Sequence, residues 1–310
     1  MQLALQACRK GGALLSLRSR GMMDAQIFSL GRIAVFAVAG VAALAIIGCA
    51  PSSTDEDSDA FPNMASLSFV SLNPCTDAIL VAVAEPEQIL ALSHYSQDPQ
   101  SSSIAPDVAG RFAVTGGTAE EVFVKSPDVV LAGAFLPPAT RQAFADWGMQ
   151  VETFGIASEI EASFVQIRRI AALAGQPERG EALIGEISDA VSAGQQASSN
   201  APVSAVLWQP GQIVPGENTL VAQLMERAGF TSHSAAQGLG QADYLSLEQL
   251  LADPPQVLLV AGGERAQRHP ALANLNDTQI ASFDPALLYC GGPTIVRAME
   301  RLRQIRQQAL

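Results

Sequence analysis

The sequence predicts an α/β protein, two lobes with parallel sheets held by a long helical spine, with the ligand cleft between the lobes. Three observations predict it. Strand-like and helix-like segments alternate on both sides of a central stretch, the pattern that parallel sheets with crossover helices produce. The central stretch, from about Ser158 to Ala197, carries apolar residues at helical spacing through Phe164, Ile167, Ile170, Leu183, Ile187 and Val191. A helix–turn–strand unit also recurs across it. Glu120 precedes Pro127-Asp128-Val129-Val130 and Glu248 precedes Pro255-Gln256-Val257-Leu258, with the same seven-residue step from glutamate to proline. Helix–turn–strand units resemble one another widely, but the shared glutamate offset favours duplication.

Composition bounds the function. The 310 residues are 48% hydrophobic with a formal net charge of −12, values of a globular protein of one large or two medium domains. Residues 1–49 hold five basic groups and the single acid Asp24, so the remainder carries −16. Such an acidic body disfavours a phosphate backbone as partner, because that binding rests on Lys and Arg. No nucleic-acid partner is expected.

Arg32 followed by the apolar run Ile33–Gly48 has the charged start and short core of a secretory signal. The run is shorter than the ~20 residues of a spanning helix. It ends in Ile46-Ile47-Gly48-Cys49, which resembles a bacterial lipobox, making Cys49 the expected lipidation site. A non-cleaved anchor with an incidental cysteine is the alternative. Met22 or Met23 would open a more ordinary signal than Met1. Residues 50–65 lack apolar periodicity and read as a flexible tether.

The first lobe is expected over 66–156. Ser66–Leu72 and Gln88–Ser93 read as strands, with Thr76 or Asp77 capping the helix between them. Helix Ala119–Lys125, strand Val129–Ala132, helix Pro138–Trp147 and strand Gln150–Thr153 complete it. The spine is expected over 157–198, N-capped by Ser158 and broken at Gly175-Gln176-Pro177. The second lobe is expected over 199–310: strand Val203–Trp208, helix Thr219–Ala228, a helix ending at Ala252, strands Val257–Ala261 and Gln279–Phe283, and an arginine-rich last helix.

Ser71-Leu72-Asn73-Pro74, His94-Tyr95-Ser96, Glu120 with Pro127-Asp128, Glu248 with Pro255, and Gly292-Pro293 fall in one order along residues 66–308. In that order the chain resembles the helical-backbone (class III) periplasmic substrate-binding proteins of ABC importers, the cobalamin and ferric-siderophore type. The resemblance implies two Rossmann-like lobes joined by one helix, little hinge motion, and a lipid-anchored periplasmic protein that catalyses nothing itself. It implies a chelate ligand and no resident cofactor. Its partner would be a permease homodimer with ATPase subunits, docked through Glu120 and Glu248. Two exposed glutamates favoured by helix dipoles are the plainer account of that pair.

Loops at the carboxyl ends of strands supply the ligand contacts in such a topology. The candidates are Asn73, Pro74, Cys75, His94, Tyr95, Phe135, Trp208, Tyr289 and Cys290, whose aromatic faces suit a flat or greasy chelate. Thr294 stands after Pro293 where the family often has arginine, which tilts the ligand toward cobalamin or another weakly charged chelate. Arg265, Arg268 or Arg297 would compensate for the missing charge. Cys75 and Cys290 leave three readings open: a disulfide, unpaired cleft residues, or a ligand to a bound metal. A second functional class is an exported two-lobed enzyme acting on a chelate or corrinoid through these cysteines. Three dispersed histidines make a bare metal substrate unexpected.

Overall fold

The computed structural model describes residues 66–197 and 201–309. The expected signal (1–49), Cys49 and the tether (50–65) lie outside the described residues. In the first lobe, β1 (Phe69–Ser71), α1 (Pro74–Val83), β2 (Ile89–Ser93), α2 (Pro106–Ala109) and β3 (Val114–Thr115) come first. They are followed by α3 (Ala119–Lys125), β4 (Val129–Gly133), α4 (Pro138–Asp146) and β5 (Gln150–Phe154). The spine is α5 (Ile160–Leu173) and α6 (Pro177–Ala197). The second lobe opens with β6 (Val203–Trp208), α7 (Leu220–Arg227), β7 (Phe230–Ser232) and α8 (His233–Ala236). It closes with α9 (Leu247–Ala252), β8 (Val257–Ala261), β9 (Gln279–Phe283) and α10 (Thr294–Gln308).

Every described strand pair is parallel. The sheet orders are β3-β2-β1-β4-β5 and β7-β6-β8-β9. The second order repeats β2-β1-β4-β5, so the sequence echo is an echo of topology. The repeated units also start alike. The Thr118 hydroxyl accepts from the Glu121 N–H at 3.3 Å and opens α3, while the Ser246 hydroxyl accepts from the Gln249 N–H at 3.2 Å and opens α9. Glu120 and Glu248 are therefore the second residue of equivalent helices.

Two helix caps differ from expectation. Asn73, not Thr76 or Asp77, caps α1: its Oδ1 accepts from the Cys75 N–H at 2.8 Å, with Pro74 in the first helical position. At the spine, Glu159 rather than Ser158 is the cap residue, and it makes no side-chain cap bond. The free Ile160 N–H instead donates to Gln223 Oε1 of α7 at 2.8 Å, so the second lobe caps the spine. The break between α5 and α6 falls where expected, at Gly175 with φ +69° ahead of Pro177.

One buried apolar cluster runs through both lobes. It joins Phe69, Ile79 and Leu131 of the first to Leu207, Leu259 and Leu302 of the second through Ile167, Ile170 and Ile187 of the spine. Smaller clusters lie on the outer faces, around Val130 and Phe144 in the first lobe and around Val206, Trp208 and Leu258 in the second. Burying one large apolar side chain is worth about 1.5–3 kcal/mol. Parting the lobes along the spine would forfeit several such terms, against a total stability of about 5–15 kcal/mol. Small tilts are the motion this core allows.

Candidate functional site

Residues that follow the carboxyl ends of strands from both lobes meet between the sheets. At the centre, Cys75 (after β1) and Cys290 (before α10) form a disulfide with Cα atoms 4.9 Å apart, linking positions 215 residues distant in sequence. Of the three readings, the disulfide is the one found. Neither thiol is free to ligate a metal, and an enzyme working through these cysteines would lack its nucleophile. The loop carrying Cys290 is packed too closely for larger residues. Gly292 has φ +65°, and a Cβ there would stand 2.6 Å from Ile79 Cγ1. Its N–H donates to Ser163 Oγ of α5 at 2.7 Å. Gly292-Pro293 thus belongs to the frame of the site.

Other expected contact residues divide into frame and surface. Asn73 and Pro74 hold the α1 terminus and so place Cys75. Phe135 and Tyr289 are 84% and 64% exposed beside the disulfide, and the Tyr289 hydroxyl donates to Gln209 Oε1 at 3.1 Å. They rim a hollow of only about 50 Å³, room for little more than water. His94 and Tyr95 lie exposed on the turn after β2, ring centroids 4.0 Å apart.

Trp208 is not a contact residue, and this corrects the sequence reading. It is fully buried and its Nε1–H donates to the Leu245 carbonyl at 2.9 Å. Side chains alternate along a strand. Ala205 and Leu207 of β6 face the spine, while Val206 and Trp208 face the outer core.

A cavity of about 1110 Å³ lies between the Asp98–Ser101 segment of the first lobe and the β8 and β9 ends with α10 of the second. None of the nine expected contact residues lines it. Three guanidinium groups do, from Arg268, Arg297 and Arg301. Arg301 donates twice to the Ser282 carbonyl, at 3.1 and 2.7 Å, and Arg297 donates to the Ser103 carbonyl. Arg268 lies against the backbone of Gly263. Among the described residues, none of the three is paired with a carboxylate.

The cavity's acids are engaged locally. Asp98 accepts from Ser101 Oγ at 2.6 Å and the Gln100 N–H at 3.0 Å, bonds that hold its carboxyl below the usual range. Glu264 accepts from the Gly211 N–H at 2.7 Å, Asp284 from the Ala286 N–H at 3.0 Å, and Glu300 from Arg303 and Gln304. Most of these donors are neutral, so the acids keep their charge, and the lining is mixed: four carboxylates and three arginines without a salt bridge between them. Arg268 and Arg297 were legible as loop and helix-start arginines; Arg301 and the Asp98–Ser101 wall were not.

Glu120 and Glu248 are exposed and make no side-chain hydrogen bond or ion pair among the described residues. Among those residues there is also no group of three or more His, Cys, Asp and Glu side chains able to hold a metal ion.

A family model described as a periplasmic binding protein matches residues 69–285. No curated protein matches the sequence. Among solved structures, the chain is similar to the periplasmic heme-binding protein RhuT of Roseiflexus sp. RS-1, at TM-score 0.64 and 22% identity, covering 79% of this chain and 99% of that one. It is similar to the vitamin B12-binding protein BtuF of Vibrio cholerae, at TM-score 0.62 and 18% identity over 78% and 97% of the two chains. It is also similar to the heme-binding protein HutB of Vibrio cholerae, at TM-score 0.65 and 17% identity over 77% and 98%.

Proposed function

Because the chain belongs to the periplasmic binding protein family, we propose that it captures a metal chelate in the 1110 Å³ cavity and delivers it to an ABC permease. The permease would be a homodimer with ATPase subunits, and the binding protein would be held to the membrane by lipid on Cys49. The observation that carries the ligand assignment is the cavity at strand ends from both lobes, lined by three arginines that form no salt bridge among the described residues, alongside four acids held by local hydrogen bonds. Cobalamin-like compounds and ferric siderophores are the chelates expected from sequence, and the similar structures carry heme and vitamin B12 in their names. Guanidinium groups reward ligand carboxylates in two-point hydrogen bonds. The reading therefore moves from a weakly charged chelate to one bearing carboxylates.

Titration of the mature chain with haemin, haemin dimethyl ester and cyanocobalamin tests this. Hydrogen bonds to charged groups contribute about 1.5–3 kcal/mol each, so haemin should bind roughly 10–100-fold more tightly than its ester. Arg268→Gln with Arg297→Gln should close most of that gap. Tighter binding of cyanocobalamin than of haemin would return the reading to a weakly charged ligand, and binding of no probe would sink the chelate assignment.

Equivalent glutamates on pseudo-symmetric lobes suit a twofold permease, because one charge per subunit sets register. Exposed ion pairs are worth about 0–1 kcal/mol, so the pair would orient more than bind. Lysine at both positions should abolish uptake in cells while ligand affinity stays within about twofold; unchanged uptake would remove the docking role. For the anchor, Cys49→Ala should move the protein from the membrane to the soluble fraction, and continued membrane retention would count against lipidation.

A further inference from the structure

We propose that Asp77 is a positioning residue of the ligand cavity, its buried carboxylate clamping the segment that forms the cavity's first-lobe wall. Asp77 lies in the first turn of α1 and is fully buried. Its Oδ2 accepts from the Ser93 N–H at 3.0 Å, from the Ser93 hydroxyl, and from the Ser96 hydroxyl at 2.5 Å. Oδ1 is buried without a partner. All three donors come from the end of β2 and the turn His94–Gln97, which leads directly into the wall Asp98–Ser101.

The same segment is anchored again beyond the wall. Ser103 Oγ lies 2.7 Å from Thr294 Oγ1 of α10, and the Ser103 carbonyl accepts from Arg297. The wall is thus suspended between a carboxylate in one lobe and a helix start in the other. A shift of the turn would reach both the wall and one of the cavity's guanidinium groups.

A neutral side chain would satisfy the serines at lower desolvation cost. What the anion adds is rigidity, since hydrogen bonds to a charged acceptor are about twice as strong as neutral ones. Burial raises the Asp77 carboxyl from 3.8 to about 7, opposed by hydrogen bonds from Ser93 and Ser96. Between those two values the native state holds a proton the unfolded chain has released, so ionising Asp77 lowers stability as pH rises through this window. The charge serves placement at the expense of stability.

No other charge shares the site. β1, β2 and β4, packed on α1, carry no ionisable side chain. The turn offers exposed His94 and Tyr95, and α5 offers Glu161, Arg168 and Arg169, all exposed. On α6, Arg179 meets the far end of α1 at the Val83 and Ala84 carbonyls, and the acids of that helix are exposed.

Asp77→Asn keeps the shape and removes the charge. At about pH 8 its melting temperature should equal or exceed that of the wild type, while amide exchange across residues 93–101 should rise about tenfold. Exchange in α3 and α9 should not move. Ser96→Ala provides a second, milder release of the turn. Unchanged exchange over 93–101 in both variants would overturn the clamp, whatever the ligand.

The ligand arm rests on the chelate reading and uses haemin and cyanocobalamin as probes. Wild-type affinity should fall about tenfold from pH 8 to pH 6, toward the level that Asp77→Asn shows throughout. Parallel profiles for the two proteins would overturn the coupling of the clamp to binding. If neither probe binds, the chelate reading fails and the exchange measurement alone decides on Asp77.

Discussion

Loss of the Cys75–Cys290 bond is expected to lower the melting temperature by roughly 5–15 °C. The bond closes a loop of 215 residues, for which the chain-entropy account gives about 5 kcal/mol, and native disulfides typically deliver about 2–4 kcal/mol of such a value. Thermal melts of the oxidised protein, the reduced protein and the Cys75→Ser, Cys290→Ser double variant measure it. The double variant should still fold, because the continuous core along α1, α5, α6 and α10 does not depend on the bridge. A melting temperature unmoved by both reduction and substitution would show that the unfolded chain gains nothing from release. The bridge matters for the site as well as the fold, since it joins the two lobes beside the small hollow that Cys75 lines.

Replacing Trp208 by alanine is expected to cost about 3–5 kcal/mol, the range for removing a large aromatic side chain from a core. Trp208→Phe should cost less, about 1–3 kcal/mol, chiefly for the Leu245 carbonyl left without its donor. Denaturant titration gives these values. Ligand affinity of the folded Trp208→Phe protein should match that of the wild type, because the indole lies in the outer core of the second lobe. A tenfold loss of affinity with stability intact would return Trp208 to the site.

Much of the architecture is legible in the sequence. Strands Val203–Trp208, Val257–Ala261 and Gln279–Phe283 and helix Ala119–Lys125 have the bounds their apolar patterns indicate. The edge strands β3 and β7, two and three residues long, are too short for a period of two to register. The capping of α5 by Gln223 joins residues 63 apart in sequence, and no local signal carries it. The face taken by Trp208 was hidden for a related reason. β6 is covered on both sides, so it reads as one apolar run without the alternation that would orient it.

The sequence by itself determined the features that arise from local pattern: alternating strands and helices, the spine and its break at Gly175, the repeated unit, and the matched glutamates at equivalent helix starts. Only the tertiary structure decided the features that depend on separations through space. It paired Cys75 with Cys290, put Trp208 in the core, and moved the open volume away from the aromatic loops. There Arg297 and Arg301, one turn apart on α10, and Arg268, from the segment after β8, line one cavity, across from a wall held by Asp77. Spacing along the chain limits which residues share a helix face or a strand. Distances between loops on different lobes are set by how the sheets pack against the spine, and the chemistry of this cleft depends on those distances.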